Sequence, residues 1–260
     1  MNPRTHHQLR NLARPILGLL GMRLFYRPSM ESVSKHFRAL GFQPGTIFDI
    51  GVFQGTYELY DTWPDARLIL VDPLTESEAA MKHICNHRRA PSSYVVAAAG
   101  DHDGNVSFHR SDDLAASSMM HSSGQLRSVP MYTLDTLETM FKTAPPYLLK
   151  VDVQGAESLV LSGASRILPL CEVVMLELPL FDFEKTGNTF SVMTALMYSK
   201  GFVPFDIYDG MCRPLDSSLG MIDVAFVRID GRFRQSHLWG TQKQNSRRHA
   251  LSRLRNLLGL

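Results

Sequence analysis

With 260 residues, 44% of them apolar and 20% charged, the chain is long enough for one sizeable α/β domain with added elements, and its usage excludes disorder or a fibrous repeat for the bulk of it. The formal charge of +2 hides an uneven spread: residues 1–38 and 228–260 hold 15 of the 27 Lys and Arg but only two of the 25 acids, leaving 12 bases against 23 acids in 39–227. An acidic centre between basic ends excludes a nucleic acid lying across the core, where phosphates need cations.

Residues 1–28 read as a basic appendage. Leu9, Leu12, Ile16 and Leu20 recur at helical spacing, but Pro15 breaks a continuous helix. The apolar run from Pro15 to Phe25 is short, is interrupted by Arg23 and precedes no small-residue cleavage site, so it reads as neither a membrane span nor a targeting peptide. The body, 29–230, opens at Ser29, which can cap a helix carrying Met30, Val33, Phe37 and Leu40 on one face and ending at Gly41. Strands are predicted at 46–50, 67–71, 94–99, 147–151 and 173–178, with helices near 56–62, 75–88, 134–142 and 156–168 between them. That alternation predicts a parallel sheet covered on both faces. A short ribbon over 104–109 follows the third strand. A helix near 189–200 leads to strands at 202–208 and 221–228, whose connecting loop 209–214 is too short for a crossover, so these two run antiparallel. Residues 231–260 read as a basic tail in which Leu251, Leu254, Leu257 and Leu258 can line one helical face while Arg247, Arg248, Arg253 and Arg255 occupy others. Such a helix suits peripheral contact with an anionic membrane surface, or packs as an ordinary solvated tail. Cys85, Cys171 and Cys212 lie far apart without C-x-x-C spacing, which fits reduced thiols in a cytoplasmic protein.

Two loops carry the candidate chemistry. The first strand runs into Asp49-Ile50-Gly51-Val52-Phe53-Gln54-Gly55, where Gly51 and Gly55 let the backbone turn tightly near a ligand. Phe53 stands where a dinucleotide fingerprint has its middle glycine, which disfavours a diphosphate and suits a smaller cationic group, with Asp49 adding negative charge. The second strand ends at Asp72-Pro73, 21 residues after Gly51, where an acid can grip a ribose diol. The third ends at Gly100-Asp101, small enough for an adenine and able to accept from its amino group. In the fourth, Lys150 and Asp152 alternate onto one face at the strand's C-terminal end, where open α/β sheets bind ligands.

At these residues the sequence resembles the FkbM family of S-adenosylmethionine-dependent methyltransferases. The D-I-G-x-x-x-G loop, Asp72-Pro73, Ser117-Ser118, Thr133-Leu134-Asp135, and K-V-D-V-Q-G-A-E followed by Leu161 and Gly163-Ala164 stand in that family's order. The likeness covers about 45–180 and continues weakly to about 228. Gln154 and Phe53 depart from it, at places where Glu and a small polar residue are commoner. The resemblance implies a Rossmann-like seven-stranded methyltransferase sheet, mostly parallel with an antiparallel end strand. It also implies S-adenosylmethionine as cofactor and O-methylation of a hydroxyl on a sugar, glycan, lipid-linked saccharide or polyketide.

A hydroxyl acceptor needs a proton acceptor. Asp152 is assigned either that role or the orienting of the hydroxyl, Lys150 stabilises charge beside it, and Glu157 either faces the same cleft or caps the following helix. Ser117, Ser118, His121 and Glu177 are assigned to the acceptor, and Gly51, Phe53, Gly55, Asp49, Asp72, Pro73, Gly100 and Asp101 to the cofactor. Asp152 and Glu177 lack a third clear ligand, so no divalent metal is assigned. The alternatives are a dinucleotide oxidoreductase, which would bind NAD, and a non-catalytic binding protein, which would bind cofactor without turnover. Oligomeric state is not readable from the sequence.

Overall fold

The computed structural model describes residues 28–111, 119–120, 124–183 and 185–242. Most of the basic appendage and tail, together with Ser117, Ser118 and His121, lie outside that set.

The chain opens with α1 (Met30–Ala39), whose first turn is closed by a reciprocal capping box: the Ser29 hydroxyl accepts from the Ser32 amide and the Ser32 hydroxyl from the Ser29 amide. It then alternates through β1 (Thr46–Ile50), α2 (Tyr57–Thr62), β2 (Arg67–Asp72), a 3-10 turn at Thr75–Ser77, α3 (Glu78–His87) and β3 (Ser93–Val96). After the excursion β4 (Ala98–Ala99), β5 (Gly104–Arg110) and β6 (Gln125–Tyr132) come α4 (Leu134–Phe141), β7 (Tyr147–Val151), α5 (Glu157–Ser162), β8 (Cys171–Pro179), α6 (Phe190–Ser199), β9 (Phe202–Cys212) and β10 (Leu219–Arg228).

Seven strands form one sheet in the order β3-β2-β1-β7-β8-β10-β9. The pairs from β3 to β8 are parallel, and β10 runs antiparallel to both β8 and β9. The single reversed strand is therefore the last but one, and the edge strand β9 points the same way as the parallel set. The central strands are buried on both faces, as a sheet covered by helices requires. Leu134, Leu137, Val160, Leu161, Met193 and Met197 from α4, α5 and α6 pack on one face. On the other, α1, α2 and α3 contribute Val33, Phe37, Leu59, Tyr60, Met81 and Ile84.

The elements depart from the sequence pattern in several places. The strand expected at 94–99 breaks after Val96, β3 joining the large sheet and β4 the three-stranded one. Gln125–Tyr132 is a full strand that pairs antiparallel with β5 and parallel with β4; its exposed polar residues and Pro130 hide the period-2 signal. The last hairpin turns at 213–218 rather than 209–214, because β9 continues along the sheet edge to Cys212. The helix predicted at 156–168 is a single short α5 that ends at Ser162 with Gly163 as its C-cap, and a separate 3-10 turn follows at Leu168–Leu170. None of the described helices is long and apolar enough to cross a membrane.

The strand order reverses direction at β1 and β7, so the loops leaving their C-terminal ends diverge and open a crevice between them. The β4-β6-β5 ribbon closes one side of that crevice. Arg127 grips both oxygens of Glu76 (3.0 Å each) and Arg110 Nε adds a third contact at 2.9 Å, tying the ribbon to the turn after β2. Those guanidinium bonds, Arg127 first, hold the Glu76 carboxyl down to about 2.

Candidate active site

A cavity of about 460 Å³ lies in this crevice, a size usual for a small-molecule site. The β1 loop lines one wall from Gly51 to Thr56, Asp72 to Leu74 the next, Ala97 to Ala99 the floor, and Phe108 and Met119 the ribbon side. Lys150, Asp152, Gln154 and Glu177 line the remaining side.

The β1 loop needs its first glycine. Gly51 has φ +81°, and a Cβ there would stand 1.7 Å from the Asp152 carbonyl oxygen, so the two loops meet backbone to backbone at this point only if the residue is glycine. Phe53 takes φ +48° without that freedom. Its amide donates to Asp72 Oδ2 at 2.7 Å, while the Leu74 amide donates to Oδ1 at 2.8 Å. Asp72 thus fastens the loop to the end of β2 and still borders the cavity; burial raises its carboxyl against the pull of those two amides.

Asp49 belongs beneath the loop rather than in the cavity. It is fully buried; Oδ2 accepts from the Thr56 hydroxyl (2.9 Å) and from the Tyr60 hydroxyl, and Oδ1 lies 3.2 Å from Lys150 Nζ. The sequence expectation that its charge faces the cofactor is corrected: Lys150 neutralises it. Lys150 also donates to the Gly51 carbonyl (2.8 Å) and lies 3.4 Å from Asp152 Oδ2. Burial alone would lower the Lys150 ammonium, but Asp49 and Asp152 outweigh it and hold the group above the usual lysine value. It is a fixed cation that knots both loops together.

Asp152 remains partly open to the cavity, its side chain 33% exposed. Gln154 Nε2 donates both to Asp152 Oδ1 (3.0 Å) and to Glu177 Oε2 (2.9 Å), so one amide bridges two carboxylates. Burial and then the charges of Asp152 and Asp223 push Glu177 up to about 9. A raised carboxyl contributes stability that is full below its ordinary value and is lost as pH rises through the raised one. Glu177→Gln is therefore expected to flatten the loss of thermal stability between about pH 4.5 and 9, measured by melting temperature across that range; an unchanged slope contradicts this protonation state.

Glu157 is also corrected. It is buried outside the cavity, where it accepts from the Gly155 amide (3.0 Å) and contacts Asn188 Nδ2 at 3.5 Å. Its work is to hold the turn in which Gln154 and Gly155 take φ +53° and +94°. Gly100 and Asp101 likewise sit off the cavity. A Cβ on Gly163 would come within 2.0 Å of the Gly100 carbonyl oxygen, so these two glycines pack together, and Asp101 is exposed and bonded to His102. In Thr133-Leu134-Asp135, Thr133 caps α4 and Asp135 receives the amides of Arg166 and Ile167, which is scaffolding rather than chemistry. Gly51, Phe53, Gly55, Asp72, Pro73, Lys150, Asp152 and Glu177 do come together on the cavity. Phe108, Met119, Met211, Met221 and the alanine floor joined them without a sequence signal beyond small or apolar type. Among the described residues no group of three or more His, Cys, Asp or Glu is arranged to hold a metal ion.

The model of the methyltransferase FkbM domain matches residues 49–204. No curated protein sequence matches the chain. Among solved structures the chain is similar to an rRNA methylase from Streptococcus thermophilus, at 11% identity over 79% of this chain and 99% of that one, TM-score 0.43. It is similar also to 1,6-didemethyltoxoflavin-N1-methyltransferase from Burkholderia thailandensis (12%, 77% and 79%, TM-score 0.41) and to the N-methyltransferase NodS from Bradyrhizobium japonicum (9%, 75% and 94%, TM-score 0.41). Likeness this distant says nothing of an acceptor.

Proposed function

The chain belongs to the FkbM methyltransferase family, and from that premise we propose that it transfers the methyl group of S-adenosylmethionine to a hydroxyl of a sugar, glycan, lipid-linked saccharide or polyketide-like acceptor. The observation that carries the reading is Asp152: a carboxylate at the C-terminal end of β7, open to the cavity and flanked by a buried cation and an amide donor. Gly51 to Gly55, Asp72 to Leu74 and Ala97 to Ala99 are the residues that would hold the cofactor. Fit is supported by the cavity's size, its apolar floor beside Asp72, and a side chain at Phe53 where a diphosphate would need open backbone.

When bound, the cofactor supplies an electrophilic methyl on a positively charged sulfur. The chain's share is to align the acceptor, keep water out and take the hydroxyl proton. Asp152 accepts that proton, with Lys150 Nζ 3.4 Å from its Oδ2. Gln154 fixes the carboxylate's orientation through Oδ1. The ribbon latch at Glu76 holds Phe108 over the cofactor wall. Glu76→Ala is expected to raise KM for the cofactor about two- to fivefold with little change in kcat, read from initial rates; an equal fall in kcat would place Glu76 in the chemistry instead.

Incubation with labelled S-adenosylmethionine and fractionated cell extract, followed by mass spectrometry of the labelled product, tests the reading. A methyl ether is expected. Label appearing on nitrogen or carbon, or in no fraction, overturns the hydroxyl assignment.

A further inference from the structure

A second cavity, of about 390 Å³, adjoins the first and shares Glu177, Met211 and Met221 with it. Among the described residues its lining carries three carboxylates, Glu177, Asp209 and Asp223, and no Lys or Arg. The sheet itself forces the crowding. Glu177 on β8 is the direct antiparallel partner of Asp223 on β10, and Asp223 is in turn the partner of Tyr208 on β9. Directly opposed residues share a face at roughly 5 Å, where like charges repel. Asp152 joins the group through the shared Gln154 amide, and one oxygen of Asp209 is already taken by the Met30 amide at 2.9 Å. Lys150, which pairs with Asp152, already serves three oxygens.

Tyr208 is the independent observation. It is 1% exposed, and its hydroxyl has no hydrogen-bond partner among the described residues, an expensive state for a buried O–H. It stands on the same face as Asp223, and after burial itself the charges of Asp223, Asp209 and Asp152 are what keep its proton on. Burial and then Asp152 and Asp209 likewise lift Asp223 to about 7.

We propose that the acceptor carries a protonated amino group, which seats against Asp223 and Glu177 with Tyr208 beneath it and so presents a neighbouring hydroxyl to Asp152. An ammonium brings three donors and a positive charge, which lets Glu177 give up its proton beside Asp223 and offers a donor toward the unpartnered phenol oxygen beneath them. A neutral hydroxyl brings these acids no cation. The acceptor class is thus an amino sugar or amino polyol, a narrowing that rests on the methyl-transfer reading.

The cofactor's own amino group is the rival occupant, so the test uses protein saturated with S-adenosylhomocysteine, which contains that group. Saturation-transfer NMR at neutral pH compares glucosamine with glucose and N-acetylglucosamine, which share its ring but lack its charge. Glucosamine is expected to bind at least tenfold more tightly. Asp223→Asn, which removes one of the opposed charges and so does not threaten the fold, is expected to abolish that preference while leaving S-adenosylhomocysteine affinity unchanged; Tyr208→Phe is expected to weaken it. No preference for glucosamine, including no binding of any of the sugars, overturns the proposal, as does a preference untouched by Asp223→Asn. A parallel fall in S-adenosylhomocysteine affinity also overturns it, by giving these acids to the cofactor. Failure of the unmodified protein to bind S-adenosylhomocysteine at all sinks the methyl-transfer reading itself.

Discussion

Asp152→Asn is expected to lower kcat for methyl transfer by about 10²- to 10⁴-fold, the range a positioned general base contributes, while leaving S-adenosylhomocysteine affinity nearly unchanged. The substitution keeps the side chain's size and leaves an oxygen for the Gln154 amide, which lies 3.0 Å from Oδ1. What it removes is the proton acceptor and the negative charge 3.4 Å from Lys150. Separate measurement of kcat, KM and cofactor affinity distinguishes the possible roles. Loss confined to cofactor affinity would assign Asp152 to the donor instead, and retention of near-normal kcat would exclude it as the base.

Lys150→Met is expected to have the largest effect on stability. Lys150 is only 7% exposed, and its Nζ serves the Gly51 carbonyl and the carboxylates of Asp49 and Asp152 together. Removing one partner of a buried pair strands the other charge, at a cost of about 3–5 kcal/mol. For a domain of this size that lowers Tm by roughly 6–20 °C. The double variant Lys150→Met with Asp49→Asn is expected to recover a substantial part of the loss, because the stranded charge at Asp49 goes with it. Thermal melts of the two single variants and the double give the coupling directly; strictly additive losses would contradict the knot described for β1 and β7. Because the Lys150 ammonium is held above its usual value, its contribution is complete at neutral pH and fades only as pH rises through that raised value.

The parallel part of the fold was readable because each central strand is a short apolar run stopped by Gly, Asp or Pro. Thr46–Ile50 and Tyr147–Val151 fall where the pattern predicts them. The pattern failed where burial is one-sided or slight. β6 has exposed residues and an internal proline, and the end of β9 carries the exposed Met211 and Cys212 along a sheet edge.

At the candidate site, linear spacing located loops better than side-chain directions. Asp49 and Asp72 stand at or one residue before a strand end and both face the α1–α3 side of the sheet, yet one is roofed over by Thr56 and Tyr60 while the other borders the cavity. That difference depends on Lys150, about a hundred positions away, and no local window contains it. Glu157 follows Asp152 closely in sequence but turns inward to hold Gly155. Asp223 and Tyr208 were invisible for the same reason: only the antiparallel register of β8, β10 and β9 brings them beside Glu177.

Isothermal titration of S-adenosylhomocysteine into the purified chain tests the central claim most directly. Saturable binding of one molecule per chain, competed by S-adenosylmethionine and absent for NAD, is the expected result. No binding of either sulfur compound, or binding of NAD in their place, would contradict it.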